Sequence, residues 1–457
     1  MAIREYGQEQ PYTPLGIFKL RLPFIHYKWE WSEAIQAIFM CATCLGAIPI
    51  LTEYLGVSFE LAWSMVIING ILYNLHALLG DPVVPGWITP SIPLTIVYLS
   101  KFTIGVDRIH ALIALQLLVA CIFIIMGITG LAGKLMGIIP VSIKSGILLG
   151  AGFAAVVGEF SAKGRFNLYP ISIAFGGLFS FYLLFSLKFR DLRKKSKIAD
   201  AFGKYGMLPA IFLSIIISPL VKELPFPKIE IGSVIKIPEM GNILREVSIF
   251  GVGVPKAAFF ISAIPMAAMI YIIAFGDFVT SSALINEADE VRQDEKIDFN
   301  SNRSNLISGL RNIIQSILIP YIPMCGPLWV AVTASVSQRY KEGRTAMDSI
   351  YGGVGTFRIM TCISVALVPI VSLVQPILPV ALSLTMLVQG YICTRLAMSM
   401  CKSELDMGIA GVMAAVLATK GAAWGLGIGI ILYVLLENIK GKQNETNETN
   451  ETVEVQE

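Results

Sequence analysis

The chain has 457 residues, 55% of them hydrophobic and 15% charged, with a mean hydropathy of +0.70. Soluble domains carry roughly a quarter charged residues, so this composition excludes a soluble globular protein and leaves an integral membrane protein. The net charge of +3 says nothing as a total and gives no reason to expect a nucleic-acid partner; only its distribution along the chain is informative.

Residues 1–30 are too polar for a cleavable signal and read as a tail. Arg4, Lys19, Arg21 and Lys28 place that tail on the cytoplasmic side by the positive-inside rule. Apolar runs follow near Trp31–Tyr54, Phe59–Leu79, Thr89–Leu99, Ile109–Leu131, Ile138–Val157, Leu168–Leu187 and Met207–Leu220. Residues 31–221 thus form a first half. A proline-punctuated stretch, 222–256, reads as an extracellular linker, with Lys228-Ile229-Glu230-Ile231 alternating like a short hairpin. The second half, 257–437, resumes at Ala257–Leu284 and passes a charged stretch from Asn286 to Arg303. It continues through Leu306–Ile319, Leu328–Val336, Ala346–Leu373, Pro379–Met398, Met407–Leu417 and Ala422–Leu436. At roughly 20 residues per span the length accommodates about twelve to fourteen. The basic runs 188–197 and 337–344 read as cytoplasmic. Residues 438–457, with their Asn-Glu-Thr repeats and three formal sequons, read as a disordered cytoplasmic tail.

Two of the apolar segments are broken. The first break runs Gly80-Asp81-Pro82-Val83-Val84-Pro85-Gly86-Trp87-Ile88-Thr89-Pro90-Ser91, the second Pro320-Tyr321-Ile322-Pro323-Met324-Cys325-Gly326-Pro327-Leu328-Trp329. Irregular backbone at membrane depth survives only inside protein or against a wet cavity, because lipid satisfies no N–H or C=O group. Matched breaks in two halves point to a transporter's binding site. The halves also repeat. Ile68-Asn69-Gly70-Ile71 answers to Ile307-Ser308-Gly309-Leu310, and Ile138-Ile139-Pro140-Val141 to Ile377-Leu378-Pro379-Val380, both at an offset of about 239 residues. An odd number of spans in each half makes the repeat an inverted one.

The chain resembles the uracil/xanthine permeases, whose seven-plus-seven inverted repeat is shared with sulfate permeases and bicarbonate transporters. The resemblance lies in Gln36-Ala37-Ile38-Phe39-Met40 through Ala47-Ile48-Pro49-Ile50-Leu51, in Ile264-Pro265-Met266-Ala267-Ala268 through Gly276-Asp277, and in Pro376-Ile377-Leu378-Pro379-Val380 followed by Gly390. It implies an all-α polytopic membrane protein of about 14 spans. The third and tenth spans would be half-helices, each preceded by a short strand, with the two strands paired at the membrane centre. It also implies a core (spans one to four and eight to eleven) that holds the substrate between the two half-helices, a gate made of spans five to seven and twelve to fourteen, and a homodimer in the plasma membrane with both termini cytoplasmic. Helix N-termini attract anions and carbonyl oxygens. Here those ends are Thr89-Pro90-Ser91-Ile92 and Gly326-Pro327-Leu328-Trp329. The chain departs from the nucleobase pattern at Ile273 and Trp329, where those permeases carry carboxylates that read the ring N–H groups.

The substrate-binding candidates are accordingly Gln36, Thr89, Ser91, Ile92, Ile273, Cys325, Gly326 and Trp329, with Asp277 as the coupling residue because a carboxylate within an apolar span is expensive and usually functional. Local capping competes for Ser91, Thr89 and Thr280, and simple packing for Trp329. Lys144 reads as snorkelling. Arg358 and Arg311, deeper in their spans, either neutralise an anion, pair with a carboxylate or sit between the two structural domains. Glu159 reads as exposed and His76 as a packing or hydrogen-bonding residue. The seven cysteines, Cys41 and Cys44 included, give no disulfide framework. No zinc spacing, nucleophile motif or phosphate-cradling loop is present, so no metal, cofactor or enzymatic activity is expected. The function expected is secondary active transport: proton- or cation-coupled symport of a nucleobase-like heterocycle or related small polar solute. Transport of a small anion (carboxylate, sulfonate or sulfate) and a channel-like or sensor protein reusing the fold are the alternatives.

Overall fold

The computed structural model describes residues 4–162, 164–204 and 207–436; the C-terminal tail and its sequons lie outside the described residues. Fourteen helical elements follow the expected spans. They are α1 (Trp31–Leu55), α2 (Phe59–Leu78), α3 (Ser91–Leu99), α4 (Val106–Thr129), α5 (Val141–Phe160), α6 (Pro170–Phe185) and α7 (Leu208–Leu220). The second set is α8 (Ala257–Val291), α9 (Ser301–Leu318), α10 (Val330–Lys341), α11 (Ile350–Val365), α12 (Leu378–Met400), α13 (Glu404–Lys420) and α14 (Ala422–Leu436). Six of the described helices are by themselves long and apolar enough to cross a membrane. The others are short, bent or polar, and their polarity is informative. The helix α9 buries Arg303, Ser304, Asn305, Ser308, Arg311, Asn312 and Gln315 while leaving Leu310 exposed. A membrane helix that turns its polar face inward faces a polar site.

Local sequence explains the interruptions. The helix α1 breaks at Gly46, where Pro49 has no N–H to donate one turn back. Ser58, Asn300, Ser349 and Ser403 cap the starts of α2, α9, α11 and α13 with side-chain oxygens.

Six short strands among the described residues form three pairs: β1 (Gln8–Glu9) with β5 (Glu295–Lys296), β2 (Thr13–Leu15) with β3 (Phe18–Leu20), and β4 (Gly86–Trp87) with β6 (Cys325–Gly326). β4 and β6 stand at the same offset of about 239 residues as the sequence repeat.

Packing follows that symmetry. The pairing of α2 with α11 is answered by α9 with α4, and that of α1 with α11 by α8 with α4. In a second body α5 packs on α13 as α12 packs on α6, and α6 on α7 as α13 on α14. The fold is therefore a seven-plus-seven inverted repeat in two bodies, α1–α4 with α8–α11 and α5–α7 with α12–α14.

The structure adds to one local expectation and corrects another. Residues 4–30, read as a tail, pack against the rest of the chain. Arg4 and Arg21 are buried: Arg4 pairs with Asp294 at 2.9 Å and Glu295 at 3.1 Å, and the Arg21 guanidinium lies 3.7 Å from the Tyr351 ring centre. The partners come from 290 to 330 residues away, so no local pattern announces them. The 228–231 alternation forms no hairpin. Glu230 N–H donates to Ser372 Oγ at 3.0 Å and Ile235 bridges to Leu367, so the linker closes over the connection between α11 and α12 instead.

Candidate functional site

The two breaks cross inside the first body. Gly86 pairs with Gly326 and Trp87 with Cys325 in an antiparallel ladder. Ile88 N–H donates to Met324 C=O at 3.0 Å, Trp329 N–H to Val84 C=O at 2.6 Å, and Val84 N–H to Thr333 Oγ1 at 3.1 Å. Glycine is required here by proximity: a Cβ on Gly86 would stand 2.5 Å from the Leu328 carbonyl oxygen. Buried amide side chains satisfy the remaining irregular backbone. Asn312 accepts from Cys325 N–H and donates to Cys325 C=O, both at 3.1 Å, and Gln116 accepts from Tyr321 N–H at 3.1 Å. Gln116 also receives nothing from lipid: it donates to Gln315 at 2.9 Å, and Gln315 to Asn69 at 2.6 Å. This is how the first body keeps non-helical backbone at membrane depth.

The crossing brings Cys325, Gly326 and Trp329 of the second break beside the residues that lead into α3. Ser91 is fully buried and donates to Ile88 C=O at 2.7 Å, which spends its donor on a local cap. Half-buried Thr89 makes a long contact with Trp87 C=O at 3.4 Å. Ile92 is fully buried. Gln36 on α1 donates to Ser335 of α10 at 3.3 Å, so it steadies the second half-helix. Ile273 is buried on α8, and Asp277 one turn later is half-buried. Among the described residues no hydrogen bond or ion pair joins Asp277 to the crossing.

A different group of side chains dominates the electrostatics. Arg311 of α9 and Arg358 of α11 are both fully buried. The Arg358 guanidinium lies 4.0 Å from the Tyr73 ring centre and 5.1 Å from that of Trp329; the Arg311 guanidinium lies 3.7 Å from Tyr73. Arg311 donates to Asn69 at 2.9 Å but leaves Nε and Nη1 without a partner, and all three nitrogens of Arg358 are without one. No carboxylate pairs with either among the described residues. The thiols of Cys44 and Cys325 are neighbours, and a thiol is a weak acceptor. Two like charges therefore share one aromatic ring beside the start of α10. The sequence showed both arginines deep in their spans; that neither has a counter-charge is visible only in three dimensions.

His76, on the last turn of α2, also faces the crossing. Its Nε2 lies 3.8 Å from Cys325 Sγ, and its Nδ1 lies 3.0 Å from Asp81 Oδ2. Glu159 corrects the expectation of exposure. It is buried, and Arg165 links it to Glu53 at 2.6 Å and to Ser383 at 3.1 Å, tying α1 of the first body to α12 of the second.

No family model and no curated protein sequence matches the chain. Solved structures do. The transmembrane domain of a cyanobacterium bicarbonate transporter, BicA, superposes with a TM-score of 0.53 at 13% identity, over 88% of this chain and 99% of that one. The structure of SLC26A9 superposes with a TM-score of 0.51 at 15% identity, over 88% of this chain and 64% of that one. At such identities the likeness is one of fold, and the fold is the seven-plus-seven repeat of polytopic membrane transporters.

Proposed function

We propose that the chain is a secondary active transporter of a small oxyanion, held between the two half-helix starts and the Arg311–Arg358 pair. The observation that carries this reading is the unpaired state of those guanidiniums. Removing one from water costs several kcal/mol even after relaxation. A cation–π contact offsets about 0.5–2 kcal/mol of that. An incoming carboxylate, bicarbonate or sulfate supplies the missing acceptors, and guanidinium binds such groups through paired N–H bonds. The N-terminus of α10 adds its unpaired N–H groups and positive dipole end. The similar BicA structure is that of a bicarbonate transporter, which supports the same class of cargo.

The nucleobase-like heterocycle takes second place. Its ring N–H donors need acceptors, whereas apolar Ile273 and aromatic Trp329 stand where those permeases carry carboxylates, and the buried charge is positive. Transport proceeds by movement of the first body against the second, in the plasma membrane, with both termini cytoplasmic, as a homodimer. Asp277 remains a candidate for a coupling site on α8.

Uptake into proteoliposomes tests the reading. Labelled bicarbonate, sulfate and formate are compared with labelled uracil, each with unlabelled competitors. Anion uptake that Arg358→Gln lowers by a factor of about 100 or more is the expected result, since an interaction of that kind is worth about 3 kcal/mol. Saturable uracil uptake with no anion competition would sink it. Passive flux that no ion gradient drives would favour the channel-like alternative.

A further inference from the structure

A buried ionisable chain runs from the strand crossing toward the face that carries the N-terminal segment. Cys325 Sγ meets His76 Nε2 at 3.8 Å, His76 Nδ1 meets Asp81 Oδ2 at 3.0 Å, and Ser304 Oγ donates to that same oxygen at 2.6 Å. His76, Asp81 and Ser304 are fully buried, and Asp81 Oδ1 has no partner. An imidazole fixed by a carboxylate on one nitrogen and facing a soft acceptor on the other keeps one ring nitrogen free to take up and release a proton. Nothing in the anion site uses it.

The charges around it make the proton sensitive to the anion. Arg311 and Arg303 face the pair from α9, Arg358 from α11 and Cys325 from β6. Behind Gly80, Lys19 and Arg21 of the N-terminal segment close the end, each paired with Glu9, and Lys19 also with Asp298. Arg303 is likewise paired with Asp298, at 2.9 Å. The uncompensated charges are thus Arg311 and Arg358. While they stand alone they oppose a third positive charge on His76. An anion bound to them cancels that repulsion.

We propose that His76, held by Asp81, is the binding site of the coupling proton, so that one proton is taken up with each anion. The inference rests on the anion reading. A proton from water adds to the free ring nitrogen of neutral His76 when the anion binds and leaves when it departs; no other bond changes. By linkage, the anion raises proton affinity and the proton raises anion affinity by one and the same factor. Both sites belong to the first body, so proton and anion move together when that body moves.

The test uses the purified full chain in detergent. Sulfate and formate are the probes, because bicarbonate exchanges protons with water by itself. Tryptophan fluorescence reads binding, and a pH electrode in unbuffered solution reads protons. The expected result is uptake of about one proton per anion, with affinity falling up to tenfold per pH unit on the alkaline side. His76→Gln should bind without proton uptake, at all pH values with the weak affinity that the unchanged protein shows in alkali. Asp81→Asn should move the fall in affinity to lower pH. Proton-free, pH-independent binding by the unchanged protein overturns the proposal and leaves the anion reading standing, and this arm needs no variant to fold. Proton uptake that survives His76→Gln intact overturns it too and turns attention to Asp277. Binding of neither anion at any pH overturns the anion reading and this proposal with it.

Discussion

Replacing Arg358 with methionine should stabilise the protein while abolishing transport. Three opposing effects set the sign. The guanidinium is fully buried with no hydrogen bond, which costs several kcal/mol. Its contacts with Tyr73 at 4.0 Å and Trp329 at 5.1 Å return about 0.5–2 kcal/mol each. Arg311 adds repulsion. Both guanidiniums lie within 4.0 Å of one ring centre, so they are no more than about 8 Å apart, worth about 2 kcal/mol at an effective dielectric near 20. Methionine keeps most of the aliphatic bulk and removes the charge. Replacing buried ions by apolar residues of similar volume is often stabilising by about 1–4 kcal/mol. Thermal unfolding in detergent, first without a bound anion, should therefore show Arg358→Met melting above the unchanged protein. With a transported anion at 100 times its Kd, the unchanged protein gains about 2.7 kcal/mol by mass action, and the variant gains none. A variant that melts lower without anion would show that Arg358 supports the fold through its charge. A variant that anions still stabilise would place the anion elsewhere. Either result refutes the reasoning.

Trp329 lies against Arg358 at the start of α10, so Trp329→Phe should remove the anion-dependent fluorescence change while the signal of the other tryptophans persists; a change that survives in the variant would move the anion away from α10. Arg165→Met strands Glu159, which is 2% exposed, and should cost about 3–5 kcal/mol in thermal unfolding. Adding Glu159→Gln should recover most of that loss, and a double variant no better than the single one would show that the Arg165 contacts, not the buried charge, matter. The docking of residues 4–20 should fail in acid. A hydrogen bond from Arg292, with help from Arg4, holds the Asp294 carboxyl below the usual range. Burial pushes Asp298 up, but Lys19 and Arg303 outweigh it and hold that carboxyl low too. Groups depressed in the folded state stabilise it above their unfolded value, about pH 4, and that contribution is lost as pH falls through the folded value. Glu295, raised by burial, runs in the opposite direction and softens the loss. Amide exchange corrected for intrinsic rates should show residues 4–20 opening below about pH 4, less so in Asp294→Asn; protection that is flat with pH would refute it.

The spans were legible because each is an apolar run bounded by charge or proline, and the breaks because proline and glycine cannot hide within such runs. The register was legible because an inverted repeat conserves spacing: the offset read from Ile68 and Ile138 is also the offset of the two strands. Errors arose where polarity meant burial rather than exposure. The stretch from Asn286 to Arg303 is legible only as charged, whereas α8 continues to Val291 and α9 begins at Ser301 under an Asn300 cap. In a soluble protein a polar face marks solvent, but in this membrane helix it marks the site. The partners of the N-terminal segment and of Glu159 are hundreds of residues away or across the two bodies, and no window of sequence contains them. Ser91 had the right position for substrate contact, and only geometry shows its donor committed to Ile88.

The symmetry of the backbone is not shared by the charge. At the offset of about 239 residues, Arg311 corresponds to Leu72 and Arg358 to Val119, both buried aliphatics. His76 corresponds to Gln315 and Asp81 to Pro320. So the second repeat supplies the cations and the first supplies the imidazole, its carboxylate and the Tyr73 ring that both guanidiniums cover. Two facing half-helix ends alone would hold an anion equally from both sides. The arginines shift it toward α10, and the His76–Asp81 pair then lies on the opposite repeat, joined to the second through Cys325 and Ser304. An anion and a proton bound together would therefore neutralise charge on both sides of the crossing at once. That condition lets a monovalent anion load without changing the net charge of the first body, because the proton returns the positive charge that the anion cancels.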